Sequence, residues 1–211
     1  MFEKKNTVLV LAPHPDDAEF GLGATLSKLQ EQGKNIHIAA FSMCEKSTPK
    51  GFHVGVIEEE LYISMAKLNI PKSNVHTFDF EVREFPKYRQ DILEQLIVLR
   101  KNIQPDLVFI PSSFDVHQDH KTINEEGIRA FKNASILGYE MPWNNFETRT
   151  DIFVTLEQKH LDHKIELLES YKSQNSRTYS NFDFVKSLAI LRGTQIQKSL
   201  AESFELIRFI D

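Results

Sequence analysis

The sequence is poor in cysteine, has no long apolar stretch and carries no excess of positive charge. Cys44 is the single cysteine among 211 residues, so neither an internal disulfide framework nor a cysteine-based zinc site can form within the chain. No apolar run approaches the roughly 18 residues that a membrane-spanning helix needs, and we expect no membrane insertion. With a net charge of −5, the chain lacks the excess of positive charge that is typical of nucleic-acid-binding proteins.

The N-terminus also lacks the pattern of a targeting segment. Residues 1–6 lead directly into the apolar run Thr7–Ala12, which is too short for the hydrophobic region of a signal peptide followed by a cleavage site. The remaining composition, with 41% hydrophobic and 26% charged residues, is typical of a globular protein. We therefore expect a cytoplasmic protein in which residues 1–211 form a single domain.

Strand-like and helix-like segments alternate along the first two thirds of the chain. The run Val8–Leu11 is continuously apolar, as in a strand that is buried on both faces. Leu22, Leu26 and Leu29 then follow at helical spacing, and Gly33 ends that helix. The same alternation continues with predicted strands at 36–41, 75–80 and 106–110 and predicted helices around 57–68 and 92–103. This order predicts an α/β fold with a Rossmann-like, doubly wound, mostly parallel sheet and helices on both faces.

The last third of the chain is less regular. Its patterns predict a strand at 151–156, helices at 158–172 and 181–200, and an edge strand at 203–209. Residues 139–150, which include Pro142, Trp143 and two asparagines, are the best candidate for an irregular loop over a site.

Two polar motifs follow predicted parallel strands. Residues 13–19 read Pro-His-Pro-Asp-Asp-Ala-Glu, and residues 115–120 read Asp-Val-His-Gln-Asp-His. Ligands of doubly wound sheets bind beyond the carboxyl ends of the strands, so the motifs predict a site at the strand C-termini. Carboxylates crowded together repel unless a cation lies among them. Histidine and aspartate are suitable ligands for Zn²⁺ or Fe²⁺, and the motifs therefore favour a metal site.

Two other interpretations of these segments are less favoured. The first motif would also suit a turn with a helix N-cap, and the second would suit a solvent-exposed loop. Two purely structural segments would have no reason to lie both at the carboxyl ends of strands in one sheet, so this interpretation is less favoured. Gly21 and Gly23 follow the first strand as in a dinucleotide fingerprint. The third glycine of that fingerprint would stand at Leu26, and acidic residues fill the turn that a pyrophosphate would occupy. We expect these glycines to permit close helix packing beside the site.

The two motifs together resemble those of the PIG-L/LmbE family of metal-dependent N-deacetylases. The resemblance rests on residues 13–21 and on His-Gln-Asp-His at 117–120, with further family-like segments at 105–108, 171–174 and 201–205. The family includes enzymes that deacetylate N-acetylglucosaminyl conjugates in mycothiol and bacillithiol synthesis. Two departures stand out: Gln118 replaces a proline common in the second motif, and Phe114 and Asp115 occupy the region where several members have a tyrosine that steadies the oxyanion.

The resemblance implies a metal centre with three protein ligands. His14, Asp17 and His120 would hold Zn²⁺, and this ligand set does not choose between Zn²⁺ and Fe²⁺. The ion would lower the pKa of a bound water molecule toward about 7.

The resemblance also implies three catalytic residues. Asp16, which would not bind the metal, would be the general base and would return its proton to the amine leaving group. A protonated His117 would stabilise the oxyanion together with the metal, and Asp119 would orient His117 and keep it protonated. The implied reaction removes the N-acetyl group from an N-acetylated amino sugar, such as an N-acetylglucosamine conjugate, and releases acetate and a free amine.

Three residues outside the motifs are candidates for substrate contacts. Arg83 and Arg89 could meet hydroxyls or a phosphate, and Trp143 could stack on a sugar ring; surface salt bridges and a plain loop anchor are the alternatives. The expected partner is a small-molecule N-acetyl amino sugar conjugate, and the sequence leaves a homo-oligomer open. Competing functions are a metal-dependent amidase or deformylase, and an inactive relative that binds a sugar or a partner protein. The intact Asp16 argues against lost activity, because a binding protein has no need of that carboxylate.

Overall fold

The computed structural model of the protein describes residues 4–174 and 181–211. Helices and strands alternate along most of this part of the chain. The helices are α1 Asp17–Glu31, α2 Val56–Lys67, α3 Arg89–Ile103, α4 Gln118–Ala130, α5 Gln158–Leu168 and α6 Phe182–Gln195. The strands are β1 Thr7–Ala12, β2 Asn35–Ala40, β3 Val75–Thr77, β4 Leu107–Pro111, β5 Ser135–Tyr139, β6 Ile152–Thr155 and β7 Ala201–Arg208. None of the helices in the described ranges is long and apolar enough to cross a membrane.

The strands form one sheet with the order β3-β2-β1-β4-β5-β7-β6. The pairs among β1, β2, β3, β4 and β5 are parallel, whereas β7 pairs antiparallel with both β5 and β6. The mostly parallel α/β sheet predicted from the sequence is therefore confirmed.

Side chains of β1 alternate between two apolar layers. Val8 and Val10 pack with residues of α1, α2, α5 and α6 on one face of the sheet. Leu9 and Leu11 pack with residues of α3 and α4 on the other face. Because helices cover both faces, every residue from Val8 to Ala12 is buried, which explains the unbroken apolar run in the sequence.

Two features of the C-terminal part differ from the sequence prediction. The short strand β5 has no counterpart among the predicted elements, because Ser135 and Gly138 interrupt its apolar pattern. The strand predicted at 203–209 as an edge strand lies inside the sheet as β7, between β5 and β6, so its edge position is wrong. Its buried glutamates, Glu202 and Glu205, give it a polar pattern that is typical of an edge.

Candidate active site

The two polar motifs meet because β1 and β4 are neighbouring parallel strands. The first motif connects β1 to α1, and the second ends in the first turn of α4. His117 is the N-cap residue of α4, and its Nδ1 accepts the backbone N–H of Asp119 at 3.2 Å. Parallel strands end at the same edge of a sheet, so both loops lie at the carboxyl edge, where the sequence predicts the site.

Three side-chain atoms converge between these loops. Oδ2 of Asp17 lies 3.2 Å from Nδ1 of His14 and 3.2 Å from Nε2 of His120. The two imidazole nitrogens are 3.3 Å apart. The ligand atoms of a tetrahedral zinc site with bonds of about 2.0 Å are separated by about 3.3 Å, so this triangle has the size of a three-ligand metal site.

Two further carboxylates determine which nitrogen of each imidazole points into the triangle. Oδ2 of Asp119 contacts Nε2 of His14 at 3.0 Å, and Oδ2 of Asp115 contacts Nδ1 of His120 at 2.7 Å. An ionised carboxylate can only accept, so each imidazole donates one ring proton outward, and its other ring nitrogen faces Asp17 and is the one available to a metal. Metal-binding histidines usually have such carboxylate partners, and the donor set therefore fits a divalent cation.

Asp115 is part of the candidate site, although the sequence gives it no role. Besides His120, its carboxylate accepts the backbone N–H of His117 through Oδ1 at 2.9 Å. Its position five residues before His120, inside the second motif, is the signal that could have identified it.

The structure corrects the partner that the sequence assigned to Asp119. Its carboxylate contacts His14 and accepts the backbone N–H groups of Arg83 at 2.6 Å and Phe85 at 3.3 Å. Only the backbone N–H of Asp119 reaches the ring of His117. The expectation that the Asp119 carboxylate orients His117 and keeps it protonated is therefore wrong, because three other groups use that carboxylate.

His117 is consequently neutral at neutral pH. Burial, together with the neighbouring His120 and His14, lowers the pKa of His117 to about 4. Because its Nδ1 accepts a hydrogen bond, the proton of the neutral ring is on Nε2. Ring nitrogens of His14, His117 and His120 lie within 4.8 Å of one another, so His117 also stands close enough to be an alternative metal ligand.

The electrostatic field in the triangle strongly favours positive charge. Despite burial, Asp17 and Asp119 raise the pKa of His14 to about 9, and Asp17 and Asp115 raise the pKa of His120 to about 10. Burial opposes ionisation of Asp17, but the two imidazoles outweigh it and hold the pKa of Asp17 well below its ordinary value. A divalent cation would replace these two protons in the same field.

A cavity of about 270 Å³ lies against the triangle. Asp16 and His117 line it, and burial and the charge of Asp17 raise the pKa of Asp16 to about 6. Arg83 and Trp143, two of the three candidates for substrate contacts, also line the cavity. The guanidinium of Arg83 donates to Oγ of Ser47 at 3.2 Å.

Arg89, by contrast, is not a lining residue of this cavity. It is the first residue of α3, and its Nε donates to Oε1 of Glu126 at 2.8 Å. Glu126 is fully buried on α4 and requires a counter-charge, which Arg89 and Arg129 supply. The expected substrate contact of Arg89 is therefore wrong, and the alternative of a structural salt bridge describes it.

A buried hydrogen-bond cluster supports the first loop from behind. The hydroxyl of Tyr171 lies 2.8 Å from the carbonyl oxygen of Pro15 and 2.8 Å from Oε1 of Glu19. The hydroxyl of Ser64 also donates to this oxygen of Glu19. Burial raises the pKa of Glu19 to about 8, so the carboxyl group carries a proton at neutral pH.

Comparisons with known proteins point to one family. A profile of the PIG-L family, described as GlcNAc-PI de-N-acetylase, matches residues 9–131. The chain is 27% identical over 177 residues to the uncharacterized deacetylase YaiS of Escherichia coli, a match that covers 81% of this chain and 92% of that protein. It is 28% identical over 144 residues to the diacetylchitobiose deacetylase of Thermococcus kodakarensis. That match covers 64% of this chain and 52% of the relative, so it spans about half of the relative's length.

A solved structure agrees in fold. The N,N'-diacetylchitobiose deacetylase from Pyrococcus horikoshii superimposes with a TM-score of 0.80 at 20% sequence identity, over 98% of this chain and 85% of that one. The family profile spans more than half of the chain and includes both polar motifs. The chain therefore belongs to the PIG-L deacetylase family.

Proposed function

We propose that the protein is a metal-dependent hydrolase that removes the N-acetyl group from an N-acetylated amino sugar, such as an N-acetylglucosamine conjugate. The observation that carries this proposal is the triangle of His14, Asp17 and His120, with Asp16 and His117 lining the adjacent cavity. The products would be acetate and the free amine. The relative from Thermococcus is named for activity on diacetylchitobiose, which is an N-acetylated sugar.

His14, Asp17 and His120 would hold the metal, which we propose to be Zn²⁺ with Fe²⁺ as the alternative. Three protein ligands of this kind are typical of catalytic sites, which keep one position open for water or substrate. When bound, the ion supplies Lewis acidity, which lowers the pKa of a water molecule and polarises a carbonyl group.

Asp16 would act as the general base. It follows His14 and Pro15 in the first loop, precedes α1 and lines the cavity next to Asp17. A carboxylate with a pKa near 6 is ionised at neutral pH and still basic enough to accept a proton from water. The same group would then return the proton to the nitrogen of the leaving amine, so that the amine departs neutral.

His117 would stabilise the negative charge that develops on the acetyl oxygen. The hydrogen bond from the Asp119 backbone leaves the proton of His117 on Nε2, where a neutral imidazole donates to an oxyanion. This role replaces the protonated His117 that the sequence analysis expects.

Arg83 and Trp143 would contact the sugar. Trp143 packs edge-to-face on Phe20 with ring centroids 5.3 Å apart, and it remains 38% exposed. Aromatic rings of this kind offer an apolar face to a sugar, and a guanidinium group offers several donors to hydroxyls.

Metal analysis combined with acetate release tests the proposal. We expect the purified protein to hold one divalent ion per chain and to release acetate from N-acetylglucosamine conjugates or diacetylchitobiose, with loss of activity on chelation. Release of formate from N-formyl substrates without acetate release would indicate the deformylase alternative. Metal and sugar binding without hydrolysis would indicate an inactive relative.

A further inference from the structure

Helix α1 is interrupted soon after the turn that carries Asp17. Leu22 has φ −152° and ψ 23°, outside the helical region. In a continuous helix the N–H of Ala24 would donate to the carbonyl of Phe20, four residues earlier. Here the N–H of Ala24 donates to Oε1 of Glu202 at 3.3 Å, and the Phe20 carbonyl accepts from Nζ of Lys164 at 2.7 Å.

A buried ion pair thus occupies the place of one helical hydrogen bond. Nζ of Lys164 and Oε1 of Glu202 are 2.7 Å apart, and both side chains are buried. Oε2 of Glu202 also accepts the N–H of Thr25 at 2.7 Å. Two buried charges are costly unless further hydrogen bonds satisfy them, and here the freed backbone groups of α1 do so. Insertion of side chains into the helical ladder is an established cause of a kink.

The glycines on either side of Leu22 make room for this arrangement. A Cβ atom at Gly23 would lie 2.9 Å from Cγ of Lys164, and one at Gly21 would clash with the ring of Tyr139. Gly23 therefore leaves room for Lys164 at the interruption of α1, and Gly21 leaves room for the ring of Tyr139 on β5.

The strand that carries Glu202, β7, also contacts the loop of the second polar motif, between β4 and α4. Three residues along β7, Oε2 of Glu205 accepts the backbone N–H of Ser113 at 2.8 Å and the hydroxyl of Ser112 at 3.2 Å. These serines begin the loop that leads from β4 to Asp115. One strand therefore contacts both helix α1, which follows the first loop, and the second loop itself, each through a buried carboxylate.

We propose that Lys164, Glu202 and Glu205 are positioning residues for the metal triangle. The Lys164–Glu202 pair sets the direction of the first turn of α1 and so the position of Asp17. Glu205 sets the loop that carries Asp115, which in turn orients His120. This inference rests on the proposed function. All three residues lie outside the segment that the family profile matches.

The test replaces the ion pair by apolar side chains of similar size, Lys164→Met with Glu202→Leu, a change that buried ion pairs commonly tolerate. Without the inserted charges, Ala24 can bond to Phe20, and we expect α1 to straighten. The Kd for Zn²⁺, measured by chelator competition, should rise about tenfold or more. The absorption bands of the Co²⁺-loaded protein, which report ligand geometry, should change, while the protein stays folded by circular dichroism.

A matched control is the buried pair of Arg192 and Glu140, 2.6 Å apart. The pair lines the same small cavity as Phe20, Lys164 and Glu202, but its other side-chain hydrogen bonds go to Gln195 and Ser203 rather than to the backbone of α1. Arg192→Met with Glu140→Leu should therefore leave the Kd for Zn²⁺ within about twofold of wild type, because it removes a buried ion pair of the same region without removing a hydrogen bond to α1.

Variants of Glu205 provide a second test of the proposal, in which a conservative substitution is the control. Glu205→Leu removes the acceptor for Ser113 and should raise the Kd for Zn²⁺. Glu205→Gln keeps an acceptor oxygen and should restore most of the affinity.

A folded Lys164→Met/Glu202→Leu variant with wild-type Zn²⁺ affinity and an unchanged Co²⁺ spectrum would overturn the positioning role. If that variant does not fold, Gly23→Ala decides, because its Cβ displaces Lys164 without removing a charge. Weaker metal binding then supports the role, and unchanged binding contradicts it. A wild-type protein that neither binds metal nor releases acetate would instead refute the proposed function.

Discussion

The carboxylate of Asp119 accepts a hydrogen bond from Nε2 of His14 at 3.0 Å and so links two motifs that are 105 residues apart in sequence. The contact presents Nδ1 of His14 to the triangle and leaves His117 without that carboxylate. Asp119 thus orients His14, a proposed metal ligand, and Asp115 orients His120 in the same way.

This relationship predicts the effect of Asp119→Asn. An amide offers one acceptor and one donor, and the donor would face the N–H of Arg83 or the ring of His14. Metal affinity should fall by about 10- to 100-fold, the usual effect of losing such a carboxylate. Asp115→Asn should act in the same direction through His120. Unchanged metal affinity in Asp119→Asn, with only a shifted pH profile, would return Asp119 to the role of orienting His117.

The ligand assignment predicts which variants lose metal. His14→Ala, Asp17→Ala and His120→Ala should each lower metal content and activity together. His117→Ala should keep the metal and lose about 10²- to 10³-fold in kcat, the usual effect of removing an oxyanion donor. Metal content of the purified variants is the measurement. A His117→Ala protein without metal, beside a His120→Ala protein that retains it, would mean that His117 is the ligand.

Asp16→Asn isolates the general base. Asparagine has the size of aspartate but cannot accept a proton at neutral pH, so metal content and KM should persist while kcat falls by about 10²- to 10⁴-fold. Because the pKa of Asp16 is raised to about 6, kcat/KM of the wild type should decrease as the pH falls below this value. A bound cation would lower the pKa of Asp16 and so shift this decrease in kcat/KM to lower pH. Full activity of metal-loaded Asp16→Asn would exclude this role, whereas the control Asp17→Asn should lose metal.

Metal binding should release protons at pH 7.5. In the metal-free protein the pKa of His14 is about 9 and that of His120 about 10, both raised, so their imidazoles carry protons at this pH. Ligation requires the unprotonated nitrogens, so binding should displace one to two protons. Calorimetric titration with Zn²⁺ in two buffers of different ionisation enthalpy measures that number. Equal heats in both buffers would show that no proton leaves.

Glu19→Gln tests whether the buried carboxyl carries a proton. The pKa of Glu19 is raised to about 8 in the folded protein and lies near 4.5 when the chain unfolds. The native state therefore binds the proton more tightly, and this stabilisation is lost as the pH rises through 8. Between pH 5 and pH 8 the wild type should lose stability relative to Glu19→Gln, by at most about 1.4 kcal/mol per pH unit. Urea midpoints of both proteins at the two pH values measure the difference. A constant difference would mean that Glu19 is already ionised at pH 5.

Local patterns in the sequence were sufficient to predict strands β1 to β4 and helices α1 to α3. The run Val8–Leu11 specifies a strand that is buried on both faces, and the leucine spacing after it specifies a helix. The two motifs follow β1 and β4, and the parallel order of these strands is enough to place both loops at one edge of the sheet. These features depend only on residues within one strand or helix, or on the order in which strands and helices follow one another. The spacing of apolar and polar residues in the sequence reveals both.

The tertiary structure alone decided how the side chains pair. Asp119 is adjacent in sequence to His120 and two residues from His117, yet its carboxylate bonds to His14. The interior position of β7 and the insertion of Lys164 and Glu202 into α1 are likewise invisible to periodicity. The physical reason is that these contacts join segments brought together by the order of strands in the sheet. Sequence spacing fixes which residues share a turn, whereas the packing of distant elements selects the partner of each buried charge.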